Sequence, residues 1–271
     1  MNELTLLQQS GFKFTKSLGQ NFITDVNLLR AIVSDARITP SDFVIEVGAG
    51  AGTLTRQLAA AAHSVTAFEI DKSLAPALDA LAAQHKNLTV LYGDVLKQDL
   101  SAVIQNRPFK LTANLPYYIT TPVIFRFLEL PELVSLTVMV QKEVALRFTA
   151  KPDTPAYGAV TAQLAAFGTP VLTRTVPRTL FTPPPNVDSA VVHLEINKRA
   201  GVDDFAMLKR VISAAFAMRR KTLLNNIISG FSLDRARAAD VLASANLPLN
   251  IRGEALGIES FISIANILAK N

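Results

Sequence analysis

Strand-like and helix-like stretches alternate along the first two thirds of the chain, and this order restricts the fold more than any other feature. Short apolar stretches occur at residues 43–47, 64–69, 88–91, 109–113 and 133–140. Helix-like segments at 53–62 and 72–83 separate the first three of them. Because parallel neighbours need a crossover connection, the alternation predicts an α/β fold with a doubly wound, Rossmann-like parallel sheet.

The pattern changes in the last third of the chain. Residues 171–176 and 190–196 have the composition of two more strands, and the proline-rich loop at 181–185 is too short to hold a crossover helix. We therefore expect an antiparallel pair at the sheet edge. After residue 198 only helix-like segments follow, at 203–216, 221–228, 233–245 and 259–268. The sequence predicts a sheet-containing domain over 1–199 and a small all-helical domain over 200–271.

Composition excludes several classes of protein. With 49% apolar and 18% charged residues, the chain has enough apolar side chains for a folded core. It contains no cysteine, which excludes disulfides, thiolate metal sites and cysteine nucleophiles. No apolar run approaches the ~20 residues that span a bilayer, and the first residues lack the features of a signal peptide. We therefore expect a cytoplasmic protein.

Positive charge is concentrated in one segment of the predicted helical domain. The net charge of +5 would by itself fit ordinary solubility. Residues 209–237, however, contain one acid and seven bases, namely Lys209, Arg210, Arg219, Arg220, Lys221, Arg235 and Arg237. A local excess of this kind fits a polyanion, and we predict that Arg219, Arg220 and Lys221 bind RNA phosphates. A solvated helix face is the alternative.

A glycine-rich turn, "EVGAGAGTLT" (46–55), joins the first predicted strand to its helix. Gly48, Gly50 and Gly52 would let a ligand approach the backbone closely at a helix N-terminus. Tight turns of this kind also use glycine for purely steric reasons. The dinucleotide fingerprint is not met, because Thr53 stands where its third glycine would be.

Two acids follow the next two strands. Glu69 stands at the end of the second strand, at the spacing where a carboxylate binds ribose hydroxyls. Asp94, after the third strand, could accept a hydrogen bond from an adenine amino group, or could cap the next helical segment. Together with the glycine turn, these acids predict a nucleoside ligand at the carboxyl edge of the sheet.

The fourth strand ends in an unusual turn, "TANLPYYIT" (112–120). The side-chain carbonyl of Asn114 and the main-chain carbonyl of Leu115, held rigid by Pro116, would present two acceptors to an exocyclic amine. Tyr117 would offer a flat face for stacking a base. Such acceptors localise the lone pair of an adenine N6 amine, which is otherwise delocalised into the ring. A tight turn with partly buried tyrosines is the alternative.

In this order, the motifs resemble those of the S-adenosylmethionine-dependent rRNA adenine N6,N6-dimethyltransferases, in particular the KsgA-type small-subunit enzymes. The resemblance covers nearly the whole chain, and one departure is Tyr118, where many members carry asparagine. Its segments are "KSLGQNFI" (16–23), "EVGAGAG" (46–52), "NLPY" (114–117), "FTPPPNVDS" (181–189), "FAMRRKTLLNN" (216–226) and "LPLNIRGEALGIESF" (247–261).

The resemblance also implies ligands and site residues. The cofactor would be S-adenosylmethionine and the product S-adenosylhomocysteine. Phe181 would pack on the target base. The residues expected to contact the cofactor are Asn21, Ile23, Gly48, Gly50, Glu69, Asp94 and Asn114.

By the same resemblance, the enzyme transfers two methyl groups to N6 of each target adenine, expected to be two adjacent adenosines of 16S rRNA, during ribosome biogenesis. Its partner would be the immature 30S subunit, bound by a monomer that needs neither membrane nor metal. His63, His85 and His193 are scattered without the spacing of metal ligands. Residues 1–22 would form a mobile segment that closes over the cofactor.

Three other functions remain open at this point. A large-subunit rRNA adenine methyltransferase of the antibiotic-resistance type would share the fold and chemistry, but residues 247–261 favour the small-subunit type. A DNA adenine methyltransferase usually carries Asp-Pro-Pro-Tyr where this chain has Asn-Leu-Pro-Tyr. A ribosome-assembly factor could act mainly by occupancy, although the intact acceptor turn indicates that activity is retained.

Overall fold

The structure of the protein is a computed structural model that describes residues 20–197 and 201–270. These residues divide into two compact units. One contains the described residues up to Ala145 together with Val171–Ile196, and the other contains Leu146–Pro170 with the described residues from Asn197 onward. The sequence predicts one boundary near residue 200, whereas the structure also assigns residues 146–170 to the second unit. Residues 1–19 of the predicted mobile segment lie outside the described residues.

The first unit contains a seven-stranded sheet. Its strands are β2 (Phe43–Val47), β3 (Ser64–Glu69), β4 (Leu88–Tyr92), β5 (Phe109–Asn114), β6 (Leu133–Gln141), β7 (Val171–Val176) and β9 (Ser189–Glu195). Their spatial order is β4-β3-β2-β5-β6-β9-β7. Strands β2 to β6 are parallel, and β9 is antiparallel to both β6 and β7. The predicted doubly wound sheet with antiparallel edge strands is confirmed.

The strand order reverses at β2, and this reversal fixes where a ligand can bind. Chain progression places β3 and β4 on one side of β2 and β5 on the other. The crossover connections therefore leave from β2 in opposite directions, and a crevice opens at the carboxyl ends of β2 and β5. The glycine turn follows β2, and the "NLPY" turn overlaps the end of β5.

Helices cover this sheet, and a short strand pair stands apart from it. The helices are α1 (Val26–Asp35), α2 (Thr53–Ala61), α3 (Ala75–Gln84), α4 (Leu100–Ile104) and α5 (Thr120–Leu128). Helix α1 was not predicted, although the Asp25 carboxylate caps it by accepting from Leu28 N at 2.9 Å and Leu29, Ile32 and Val33 form its buried face. Strands β1 (Phe22–Ile23) and β8 (Phe181–Thr182) form a separate antiparallel pair.

The second unit is built from helices. Helix α6 (Lys142–Phe148) contains the boundary, and α7 (Ala159–Ala165), α8 (Phe205–Ala215), α9 (Leu223–Phe231), α10 (Arg235–Ser244) and α11 (Ile258–Ala269) follow. The side chain of Tyr157 packs in the same apolar cluster as Phe261 and donates a hydrogen bond to Leu256 O at 2.7 Å. This contact is one of those that join residues 146–170 to the helical unit. Within the described residues, no helix has both the length and the apolar character needed to cross a membrane.

Candidate active site

One pocket lies where the carboxyl ends of four neighbouring strands meet. Its lining includes Asn21, Ile23, Gly48, Gly50, Glu69, Asp94, Asn114, Leu115, Pro116 and Tyr117. The structure thus brings together every residue predicted to contact the cofactor and the whole acceptor turn. Glu69, Asp94 and the acceptor turn meet there because parallel strands deliver their carboxyl ends to the same edge of the sheet. Asn21 and Ile23 come instead from the segment of the short antiparallel strand β1. The contacts of these residues with ligands stay predictions.

The glycine turn requires glycine at two positions that line the pocket. Gly48 and Gly50 have φ of 79° and 58°, in the left-handed region that side chains disfavour. A Cβ on Gly50 would also lie 2.9 Å from Cε1 of Phe22. Helix α2 follows with Gly52 as its N-cap and no side-chain cap, so its first backbone N–H groups remain open to an anionic ligand group.

Glu69 is held rigidly at the end of β3. Its Oε2 accepts from Gly50 N at 2.7 Å and its Oε1 from Asp71 N at 2.8 Å, and the residue is 6% exposed. Burial raises the pKa of this carboxyl, and the same backbone N–H groups act against the rise. Each oxygen keeps a second lone pair, so the carboxylate can still accept from a pair of ligand hydroxyls.

Asp94 shows that the two roles predicted for it are compatible. Its Oδ1 accepts from Leu96 N at 3.0 Å and caps a short 3₁₀ turn, Val95–Lys97. Its Oδ2 lies 3.8 Å from Nζ of Lys97. The residue also lines the pocket, so the capping bond fixes the carboxylate where a ligand amine could reach it.

One hydrogen bond fixes the side-chain amide orientation of Asn114, the last residue of β5. Its Nδ2 donates to the backbone oxygen of Asn21 at 3.2 Å. Because this bond uses the amide nitrogen, Oδ1 is the atom left to accept a hydrogen bond from a ligand. The turn behind it is fixed by two backbone bonds, from Leu115 N to Met139 O at 3.3 Å and from Ile119 N to Pro116 O at 3.1 Å.

Tyr117 is anchored by a residue to which the sequence analysis gave no role. The hydroxyl groups of Tyr117 and Ser189 lie 2.8 Å apart, and Ser189 is fully buried on β9. Burial raises the pKa of Tyr117, and the bond to Ser189 acts against the rise. The sequence feature that could have indicated this role is the position of Ser189 at the end of the "FTPPPNVDS" segment. The neighbouring Tyr118 is 56% exposed.

Phe181 is not brought to the pocket. Its side chain is only 4% exposed and packs in the apolar core of the sheet unit. In the β1–β8 pair it stands opposite Ile23, a residue that does line the pocket. Its ring is unavailable to a base in this conformation, because the side chain is buried and does not line the pocket. Its predicted contact with the target base stays a prediction.

Glu46 is the pocket acid for which no individual role was predicted, although it begins the "EVGAGAG" segment that the resemblance matches to the methionine part of the cofactor site. It stands on β2, is 1% exposed and lines the pocket. Burial, reinforced by the charge of Glu69, raises the pKa of Glu46 to about 8. The sequence feature that could have indicated a role for Glu46 is its place as the one charged residue in the otherwise apolar strand "FVIEV".

The three predicted RNA-binding residues belong to the helical unit. Arg219, Arg220 and Lys221 are all exposed and lie in the connection between α8 and α9 rather than on a helix face. Within residues 20–197 and 201–270, no ion pair joins them to an acid, and no group of three or more His, Asp or Glu could hold a metal ion.

Comparison with known proteins identifies relatives over almost the full length. The sequence profile of the family described as "Ribosomal RNA adenine dimethylase" matches residues 11–270. Ribosomal RNA small subunit methyltransferase A of Listeria monocytogenes is 44% identical and aligns over 97% of this chain and 93% of its own. The protein of the same name from Alkaliphilus oremlandii is 43% identical, with 98% and 95% covered.

Solved structures give the same grouping. A dimethyladenosine transferase from Plasmodium falciparum superposes with a TM-score of 0.81 at 25% identity, covering 92% of this chain and 98% of its own. The 23S rRNA methyltransferase ErmE superposes with a TM-score of 0.72 at 26% identity, covering 92% and 100%. With the profile match across nearly its whole length, the chain belongs to the ribosomal RNA adenine dimethylase family.

Proposed function

We propose that this protein transfers methyl groups from S-adenosylmethionine to the N6 amine of adenines in small-subunit rRNA, two per base. The observation that carries the proposal is the oriented amide of Asn114. Its nitrogen is bound to Asn21 O, which leaves its oxygen for an amine in the pocket that also contains Glu69 and the glycine turn. The names of the two relatives above support the substrate class.

The pocket residues fit S-adenosylmethionine chemically. Among the described residues, the lining contains three acidic side chains, Glu46, Glu69 and Asp94, and no basic one. Such a lining favours a ligand with net positive charge, and when bound the cofactor supplies an electrophilic methyl group. Glu69 would accept from ribose hydroxyls, and the uncapped start of α2 would bind a carboxylate.

The acceptor turn would activate the target amine. An adenine amine is a weak nucleophile because its lone pair is delocalised into the ring. Oδ1 of Asn114 and the carbonyl oxygen of Leu115 would each accept a hydrogen bond from one N–H group of the amine and so localise its lone pair. Tyr117 would stack on the base. Since the turn and the Tyr117–Ser189 bond are already formed, little reorganisation is needed.

The partner we propose is the immature 30S subunit, bound by a monomer in the cytoplasm. The relatives named as small-subunit enzymes are 43–44% identical to this chain, whereas the 23S rRNA enzyme is 26% identical. Bacterial ribosomes assemble in the cytoplasm. The exposed bases between α8 and α9 would bind rRNA phosphates.

A labelling experiment tests this function. The protein is incubated with S-adenosylmethionine labelled at its methyl group and with undermethylated 30S subunits, 50S subunits or duplex DNA. We expect label in 30S subunits only, recovered as N6-methylated adenine. Label confined to 50S subunits or DNA would assign the chain to another substrate class. Tight 30S binding without incorporation would favour an assembly factor.

Removing the Glu69 carboxylate should weaken cofactor binding. Glu69→Ala deletes the acceptor of two backbone bonds and of the expected ribose bonds, so we predict a loss of ~1–3 kcal/mol in S-adenosylmethionine affinity, measured by calorimetry. Asp79→Ala, which removes an exposed acid outside the pocket lining, is the matched control. Unchanged affinity in a folded Glu69→Ala protein would remove the assignment.

Neutralising the exposed bases should change how RNA binding depends on salt. In the triple variant Arg219→Gln, Arg220→Gln, Lys221→Gln, each lost phosphate contact should lower the slope of log K against log salt by ~0.7–0.9, because fewer counterions are released. Filter binding to 16S rRNA at several salt concentrations measures the slope. Lys86→Gln, at an exposed lysine just before β4, should keep the wild-type slope. A triple variant with that slope would show that the three bases are not at the interface.

A further inference from the structure

Glu46 is a pocket carboxyl group that the chemistry above leaves without a role. Its Oε2 has no protein hydrogen-bond partner among the described residues, and neither do the hydroxyls of Thr55 and Thr112. In the sheet register, Glu46 pairs with Ala67 on β3 and Thr112 on β5, so its strand neighbours provide no positive charge. An ionised carboxylate in this position would be both desolvated and unpaired, which strongly favours the neutral form.

Among residues 20–197 and 201–270, no base forms an ion pair with Glu46. Lys110 on β5 is bound by its Nζ to the Asp42 carboxylate at 2.9 Å and to Arg37 O at 2.7 Å. Arg56 on α2 is half-buried but does not line the pocket. His193 lies three strands away on β9, where its Nδ1 is 2.8 Å from Oγ1 of Thr137.

The neighbouring carboxylate of Glu69 makes the neutral form of Glu46 still more favourable. Glu69 shares the pocket and accepts two backbone N–H bonds that stabilise its ionised form. Glu46 accepts no such bond through Oε2. When acids share a pocket, the proton stays on the carboxyl group that accepts the fewest hydrogen bonds, which here is Glu46. Burial and the charge of Glu69 raise its pKa to about 8, and the nearby Thr55 hydroxyl acts in the opposite direction.

We propose that Glu46 carries a proton in the ligand-free pocket and releases it when the positively charged cofactor binds. A cation in the pocket favours the carboxylate over the neutral acid, so binding and ionisation are coupled. This inference rests on the proposed function, because it concerns the same pocket and cofactor. It adds that cofactor affinity depends on pH through a single buried group.

The direction in which cofactor affinity changes with pH follows from the release of a proton on binding. Since binding releases a proton, cofactor affinity should rise with pH by up to about tenfold per pH unit while Glu46 is protonated in the free protein. The rise should level off above pH 8, where the free protein has already lost the proton. In Glu46→Gln, which keeps the shape of the neutral acid but cannot ionise, the dependence should disappear.

Calorimetry in two buffers measures the proton directly. S-adenosylmethionine is titrated into the full-length protein at pH 7.0 in phosphate and in Tris, whose ionisation enthalpies differ. For the wild type, the difference in heat should correspond to about one proton released per cofactor bound. Glu46→Gln should give equal heats in both buffers, and Asp94→Asn should bind more weakly but still release the proton.

The outcomes separate this inference from the proposed function. Equal heats for the wild type, or proton release retained in a folded Glu46→Gln protein, would overturn the role of Glu46 while leaving the methyltransferase intact. A protein that binds no S-adenosylmethionine would contradict both. If Glu46→Gln does not fold, difference infrared spectroscopy on the wild type decides: the carbonyl band of a protonated carboxyl group must be present at pH 7.0 and vanish when the cofactor is added.

Discussion

Replacing Asn114 by alanine is expected to slow methyl transfer by ~10²–10³ and to weaken cofactor binding much less. The variant removes one preorganised acceptor for the target amine, whereas the glycine turn, Glu69 and Asp94 remain in the pocket. The loss should therefore fall on the chemical step. Single-turnover assays on undermethylated 30S subunits separate that step from binding and product release.

The two successive transfers give a second readout for Asn114→Ala. Monomethylated adenine has only one N–H group left, and the Leu115 carbonyl could accept its hydrogen bond without help from Asn114. The first transfer should then be the slower one relative to wild type, and the ratio of mono- to dimethyladenine should change. Both rates within about twofold of wild type would reduce "NLPYY" to a structural turn.

Asn87 provides a matched control for Asn114. Its side-chain amide donates to Ala59 O at 2.8 Å and to Ala62 O at 3.1 Å, and the residue does not line the pocket. Asn87→Ala should lower stability, because buried carbonyls lose their donor, and should leave both transfer rates unchanged. A similar loss of rate in both variants would indicate a general structural effect.

Of the variants proposed, Phe261→Ala should lower the free energy of unfolding most. The ring is fully buried in the core of the helical unit, and its centroid lies 6.0 Å from that of Phe216. Removing it leaves a cavity, so we predict that the free energy of unfolding of this unit falls by about 3–5 kcal/mol. Amide hydrogen exchange at Val211 and Leu242 reports on this unit alone.

Phe205→Ala is the control for the Phe261 prediction. Phe205 is 37% exposed and stacks on Phe167 with a centroid distance of 5.6 Å, so its removal leaves less of a cavity. We expect a clearly smaller loss for this variant. Equal losses for the two variants would mean that the core repacks around the missing Phe261 ring.

Local sequence patterns predicted most of the sheet. Strands β2, β3 and β7 begin and end at the predicted residues, and the antiparallel edge strands were expected from a loop too short for a crossover helix. These features depend on apolar periodicity and on the length of connections, both of which can be read within a few residues. Helix α1 was missed despite its Asp25 cap, and residues 146–170 were predicted to belong to the sheet unit.

The sequence by itself determined the parallel sheet and the presence of the glycine turn, Glu69, Asp94 and Asn114 at consecutive strand ends. It could do so because strand ends are local features and parallel topology carries them to one edge. Only the tertiary structure decided that Asn21 orients the Asn114 amide, that Ser189 anchors Tyr117, that Phe181 is buried and that Glu46 lies unpaired in an acidic pocket. Each of these depends on a contact, or on the lack of one, between residues far apart in the chain. Hydrogen bonding and desolvation act over a few ångströms in space, so their outcome is set by which segments meet after folding.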